Sequence, residues 1–96
     1  MTNYELMYIL DSTADDAVKT SFTENVQKII TDASGTVDKV DEMGIRKLAY
    51  PIQKKNEGFY VVINFSSEKE LPKELDRRLR IADVCVRHII INKDDE

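Results

Sequence analysis

The sequence predicts an α+β domain: a ferredoxin-like βαββαβ sandwich in which two helices cover one face of a four-stranded antiparallel sheet. Two observations lead there. Strand-like and helix-like stretches follow one another in the order strand, helix, strand, strand, helix, strand. The first and third strands are apolar on both faces, as central strands are. Right-handed crossovers in two split βαβ units place those two strands in the middle and the second and fourth at the edges.

The first strand is expected over residues 4–10. Tyr4, Leu6, Tyr8 and Leu10 share one face there, and Glu5, Met7 and Ile9 the other. Asp11, Ser12 and Thr13 break the alternation. Thr13, with Asp16 three residues on, reads as the N-cap of a helix ending near Ser34. Its apolar stripe is Ala14, Val18, Phe22, Val26, Ile29, Ile30 and Ala33, and Gly35 sits where a left-handed stop is wanted. A second strand starts at Thr36. The uneven spacing of Val37 and Val40, with Gly44 beyond, predicts a bulge or bend, and Pro51, which cannot donate to a ladder, fits an edge. Residues 53–58 read as a polar turn. The third strand follows over 59–65, with Phe59, Val61, Ile63 and Phe65 on one face. Ser66, Ser67 and Glu70 form a second capping signal. Leu71, Leu75 and Leu79 stripe a short helix that can start as late as Leu71, because Pro72 is tolerated only in the first turn. The last strand covers 84–92, and residues 93–96 form a polar tail expected to fray.

Ninety-six residues make one domain, 1–96, with enough chain for a single core. Apolar content of 42% with 33% charged residues is that of a soluble globular protein. The lone Cys85 cannot close an internal disulfide, which points to a reducing compartment, the cytoplasm. The first ten residues have no basic run of the secretory kind, and no apolar run approaches the roughly 20 residues of a membrane span. A net charge of −4 argues against a generally nucleic-acid-coating protein. It leaves room for a local basic patch, because charges are screened beyond about 8–10 Å.

No catalytic constellation stands out. His88 is the only histidine, so neither a histidine-based metal cluster nor a triad is evident, and no metal or cofactor is expected. His88 reads as a structural or surface strand residue and Cys85 as an inert small hydrophobe. There is no Walker run or Gly-rich dinucleotide turn. Residues 11–16 are too acidic for the phosphate-cradling loop that an acylphosphatase-like use of the fold would need. Two basic groups remain: Arg46, Lys47, Lys54 and Lys55, then Arg77, Arg78, Arg80 and Arg87. They are either solvated charge, including edge charges that prevent sheets from pairing, or phosphate contacts on RNA with Tyr50 or Tyr60 available to stack. An RNA-recognition motif is echoed only in part by residues 57–65, because Glu57 precedes Gly58 and Val61 stands where an exposed aromatic is wanted. A small-molecule regulatory domain dimerising through its sheet would suit the acidic charge, although no ligand loop is evident.

The run Gly44-Ile45-Arg46-Lys47-Leu48-Ala49-Tyr50-Pro51-Ile52 resembles the signature of the bacterial small-subunit ribosomal protein family conventionally numbered six. Tyr4-Glu5-Leu6-Met7-Tyr8-Ile9, and Arg78-Leu79-Arg80-Ile81 leading to Arg87 and His88, sit where that family has closely similar runs, so the resemblance spans nearly the whole chain. It implies a non-enzymatic component of the small ribosomal subunit that binds the central domain of the small-subunit RNA together with the small basic ribosomal protein number eighteen. Under that implication, Asp41, Glu42, Arg46, Lys47 and Leu48 face the partner protein and Tyr50, Lys54, Lys55, Arg80 and Arg87 are RNA contacts. The free protein is expected to be a monomer, with no membrane association. The chain departs from the family at Thr2 and Asn3, where many members are basic, and at Gln53, Ala82 and Cys85.

Overall fold

Alternation along Tyr4, Leu6, Tyr8 and Leu10 makes a strand, and it lies at the centre of a sheet because its other face is also largely apolar. The computed structural model describes residues 1–52 and 55–94, with the backbone alone at 48–52, 55 and 56. The elements are β1 (Thr2–Asp11), α1 (Asp16–Asp32), β2 (Thr36–Ile52), β3 (Lys55–Ser67), α2 (Leu71–Ile81) and β4 (Cys85–Asn92). The sheet order is β2-β3-β1-β4, and each neighbouring pair is antiparallel. This is the predicted ferredoxin-like topology, with β1 and β3 central and the Pro51-bearing β2 at an edge.

The core lies between the sheet and the helices. Leu6, Tyr8, Leu10, Val61, Ile63 and Phe65 are fully enclosed and meet Val26 and Ile30 of α1 and Leu71, Leu75 and Leu79 of α2. Each enclosed aliphatic side chain contributes about 1.5–3 kcal/mol relative to exposure. Tyr4 stacks on Phe65 with centroids 5.5 Å apart, and Tyr8 meets Phe22 edge-on at 5.3 Å.

Helix α1 follows its predicted stripe in part. Val26 and Ile30 are buried and Phe22 and Ile29 pack against the core, but Lys19 and Thr23 are buried as well, Val18 is 45% exposed, and Ala14 precedes the helix. Polar satisfaction explains the rotation. The Tyr8 hydroxyl is enclosed and meets the Thr23 hydroxyl at 2.6 Å, and burial pushes the Tyr8 phenol well above its ordinary pKa. Lys19 runs its stem over Phe59, Nζ lying 5.1 Å from the ring centroid, and donates to the Ser12 carbonyl at 3.2 Å.

The helix ends differ as well. Thr13 is not the N-cap: its N–H and hydroxyl both go to Asp11 Oδ1, at 3.0 and 2.7 Å, closing a local turn. Asp15 takes the cap position, its carbonyl accepting the Lys19 N–H. Ser66 and Ser67 do not cap α2 either. Glu70 precedes it, and the Ser67 hydroxyl donates to the Glu68 carbonyl instead. Helix α1 stops at Asp32, and the left-handed residue after it is Ser34 (φ 65°), not Gly35. Gly35 N–H returns to the Ile30 carbonyl and Ser34 N–H to Thr31, a Schellman closure. Gly35 is needed for a different reason. A Cβ there would stand 2.9 Å from Ile30 Cγ2 and the Ile30 carbonyl oxygen, and 3.0 Å from the Ser66 carbonyl oxygen.

The predicted polar turn is mostly strand. Ile52 pairs with Lys55, and Gly58 is a buried ladder residue facing Asp11 on one side and Arg46 on the other. Because β1 ends opposite Gly58, residues 47–52 and 55–57 run as two strands beyond the sheet, paired at Lys47 with Glu57 and at Ile52 with Lys55. Gln53 and Lys54 lie outside the described residues. The tail is tied down where it is described. Lys93 N–H donates to the Asn3 carbonyl at 2.9 Å, and Asp94 accepts from the Asn3 N–H at 2.9 Å and its side-chain amide at 3.3 Å. Asp95 and Glu96 lie outside the described residues.

Candidate functional site

Two surfaces lie away from the helices: the uncovered face of the sheet and the edge of β2. On the uncovered face, antiparallel register aligns side chains in rows. Tyr60, Ile9 and Arg87 form one row; Val62, Met7 and Ile89 the next; Asn64, Glu5 and Ile91 the third. Ile89 and Ile91 are 46% and 45% exposed. Met7, Ile9, Tyr60, Arg87 and Ile89 line a recess of about 280 Å³. β2 completes the face with Asp41 opposite Val62 and Lys39 opposite Asn64.

Two bulges shape the β2 edge before Lys47, and a third register shift follows between Lys47 and Ile52. Asp38 is the extra residue of the first, which keeps Val37 and Val40, opposite Phe65 and Ile63, packed against the core. Met43 is the extra residue of the second, followed by Gly44 at φ 83°, a conformation glycine adopts without a side-chain penalty. The bend predicted from the valine spacing and Gly44 is therefore present twice. Asp41, Glu42, Arg46 and Lys47 are all exposed. Asp41 belongs to the uncovered face, whereas Glu42, opposite Val61, belongs to the helix side. Arg46 Nε donates to the Met43 carbonyl at 3.2 Å, and Lys47 stands opposite Glu57. The Leu48 side chain lies outside the described residues.

The second basic group is not one patch. Arg77 and Arg78 both clasp Glu74, with contacts of 2.6 and 2.8 Å to Oε1, and hold its carboxyl down to about 2. Arg80 reaches Asp76 at 2.5 Å. The other oxygen of Asp76 meets His88 Nε2 at 2.7 Å, and that bond is the main reason the Asp76 carboxyl sits below its ordinary range. His88 is thus a structural clasp between α2 and β4. Its neighbour Arg87 projects to the opposite side of the sheet, so Arg80 and Arg87 occupy different faces. Of the other expected RNA contacts, Lys54 and the side chains of Tyr50 and Lys55 lie outside the described residues.

Cys85 packs against the core, and burial pushes its thiol to about 11, so it is held as the unreactive thiol. Among the described residues no group of three or more His, Cys, Asp or Glu is placed to hold a metal, and no helix is long and apolar enough to cross a membrane.

The recess is the feature the residue-by-residue reading did not assemble. Its signal was present in the apolar second face of β1 and in the alternate Ile89 and Ile91, but the register that brings Tyr60 and Arg87 either side of Ile9 depends on the sheet order. Lys19 gave no signal, because its burial depends on Phe59 forty residues away.

Residues 3–92 match the family model described as Ribosomal protein S6. The small ribosomal subunit protein bS6 of Alkaliphilus metalliredigens is 52% identical over 91 residues, covering 95% of this chain and 96% of that protein. Its counterpart in Clostridium botulinum strain Hall is 46% identical over 94 residues, covering 98% of this chain and all of that one. The crystal structure of 30S ribosomal protein S6 from Thermotoga maritima superposes with a TM-score of 0.92 at 35% identity, covering 98% of this chain and 89% of that chain.

Proposed function

The chain belongs to the ribosomal protein S6 family, proteins of the small ribosomal subunit, and from that premise we propose that it is a non-catalytic component binding the central domain of the small-subunit RNA together with the small basic ribosomal protein number eighteen. The observation that carries this reading is the β2 edge. Among the described residues no strand pairs with its outer hydrogen-bonding side, and Asp41 and Glu42 are exposed along it. That acidic pair suits a basic chain, and complementary charge steers association and fixes register. Arg46 and Lys47 continue the edge, with Leu48 beside them. The same charges oppose pairing with a second copy, which keeps the free protein a monomer.

RNA contact is assigned to Tyr50, Lys54 and Lys55, and to Arg80 on the exposed side of α2. Arg87 faces away from Arg80 and is set apart from that surface.

Reconstitution tests the reading. The chain is mixed with purified protein number eighteen and a central-domain RNA fragment, and complexes are followed by gel shift. The ternary complex is expected to form, and Asp41→Lys with Glu42→Lys is expected to weaken the protein–protein step about tenfold or more, in a salt-dependent way. Failure of the wild-type chain to bind protein number eighteen would contradict the reading.

A further inference from the structure

We propose that the groove between β4 and α2, at the edge of the sheet opposite β2, binds an extended polypeptide segment by strand addition, with an apolar side chain of the segment under α2 and an acidic one against Lys73. The site lies on the helix side of the far edge, apart from β2 and from the uncovered face, and the inference stands independently of the reading above.

The ladder leaves β4 open. Lys93 N–H donates to the Asn3 carbonyl at 2.9 Å, and hydrogen-bonded and non-hydrogen-bonded pairs alternate along an antiparallel ladder. The register is unbroken from Tyr4 opposite Asn92 to Ile9 opposite Arg87. The backbone N–H and C=O of Arg87, Ile89 and Ile91 therefore turn towards β1, and those of His88, Ile90 and Asn92 turn outward. Among the described residues no strand pairs with that outer side. Natural edges are blunted by charges, prolines or bulges. β2 has all three, whereas residues 88–92 have no bulge, no proline and no Lys, Arg, Asp or Glu.

Beside that edge lies a recess of about 320 Å³, lined by Tyr4, Ile90 and Asn92 of the sheet and Pro72, Lys73 and Asp76 of α2. A strand added to β4 would send alternate side chains to this side. Peptides that add to a sheet edge gain affinity from main-chain bonds and specificity from such recesses. Geometry selects the occupant. Outward N–H and C=O groups that recur every second residue, about 6.8 Å apart, match an extended polypeptide and not a sugar–phosphate backbone. A second copy pairing through its own β4 would bring its His88, Ile90 and Asn92 to the recess side. Ile90 packs on the core and His88 is held by Asp76, so neither is available to fill it. The side chains of Tyr4, Pro72 and Ile90 suit an apolar residue. Asp76 is already engaged by Arg80 and His88, whereas among the described residues Lys73 makes no ion pair. Lys73 is the charge left over, and it suits a carboxylate.

Peptide display on the immobilised full chain tests this. The probe is a library of random linear ten-residue peptides, and selected peptides are synthesised for calorimetry and amide NMR. Binders with a Kd of about 100 µM or tighter are expected, carrying an acidic residue within two positions of an apolar one. The amide signals of His88, Ile90 and Asn92 are expected to move more than those of Arg87, Ile89 and Ile91. Methylating alternate backbone nitrogens of a binder is expected to abolish binding for one set of positions and spare the other, because only every second N–H enters the ladder. Lys73→Glu, an exposed change checked by circular dichroism for a wild-type melting temperature, is expected to weaken binding about fivefold or more. Recovery of no such binder would overturn the proposal. So would binders that shift β2 or the uncovered face instead, equal binding by the two methylated sets, or full affinity in Lys73→Glu. Movement of the β4 amides on self-association or with an RNA fragment, with no peptide bound, would assign the edge to another occupant and overturn it as well.

Discussion

The two faces of the sheet are built from the same kinds of side chain and behave differently. The helix-covered face encloses Leu6, Tyr8, Leu10, Val61, Ile63 and Phe65, and its apolar residues are accounted for by α1 and α2. The other face carries Met7, Ile9, Tyr60, Val62, Ile89 and Ile91, over which, among the described residues, no helix or strand lies. Folding accounts for the first set. The second makes sense in an assembly, where a partner removes that surface from water.

The contrast is broken most severely by emptying the covered face. Leu75→Ala leaves a void where α2 meets the sheet and is expected to cost about 2–5 kcal/mol in a denaturant titration. Ile91→Thr on the uncovered face is expected to change stability by about 0.5 kcal/mol or less, as at ordinary surface positions. Comparable losses in the two variants would mean that the faces are not distinct in folding.

Next in size is the close approach at Gly35. Gly35→Ala drives a methyl group against the Ile30 and Ser66 carbonyls and is expected to cost about 1–3 kcal/mol, in the manner of overpacking. Gly44→Ala has open space around it, and only its positive φ opposes the change, so about 1 kcal/mol is expected. The order Gly35 over Gly44 is the checkable content.

The Tyr8–Thr23 hydroxyl pair inside the covered face sharpens the comparison further. Tyr8→Phe strands the Thr23 hydroxyl and is expected to cost about 1–3 kcal/mol. Thr23→Val in addition should recover part of that loss, since no unpaired polar group then remains. A double-mutant cycle without positive coupling would remove the pair from the account.

Much of this architecture was legible in the residues. The alternation of β1, the Leu71–Leu75–Leu79 triad and the element order were enough for the sheet topology, because hydrophobic period and crossover handedness are local or general rules. Helix starts were not legible. Thr13 and Ser67 are good cap residues by type, yet Asp11 captured the first, and the second bonded to the neighbouring Glu68 carbonyl. Such competition between nearby acceptors is decided by geometry. The turn was overestimated because Gly58 looks like punctuation, when its place is a buried crossing between β1 and β2. At the candidate site, the charges along β2 were visible as a pattern. The recess was not, because it needs three strands in register. The arginines of α2 looked like a patch until Glu74 and Asp76, spaced three and four residues away, were seen to hold three of them.

The smallest expected effect belongs to those pairs. Glu74 and Asp76 have folded-state carboxyls below their ordinary values of 4.5 and 3.8. Their contribution is therefore whole above the unfolded values and is lost as pH falls through the folded ones, towards about 2 for Glu74. Stability of the wild type should fall more steeply below about pH 4.5 than that of Glu74→Gln with Asp76→Asn. Parallel curves would show that the arginine pairs contribute nothing in solution, as many exposed pairs do.

Amide hydrogen exchange on the chain alone and bound to protein number eighteen tests the division of labour between the two faces most directly. Added protection is expected along residues 41–47 of β2 and 89–91 of β4, with the amides of α1 and α2 unchanged. Protection gained on the helices, with those strand residues exchanging as in the free chain, would contradict it.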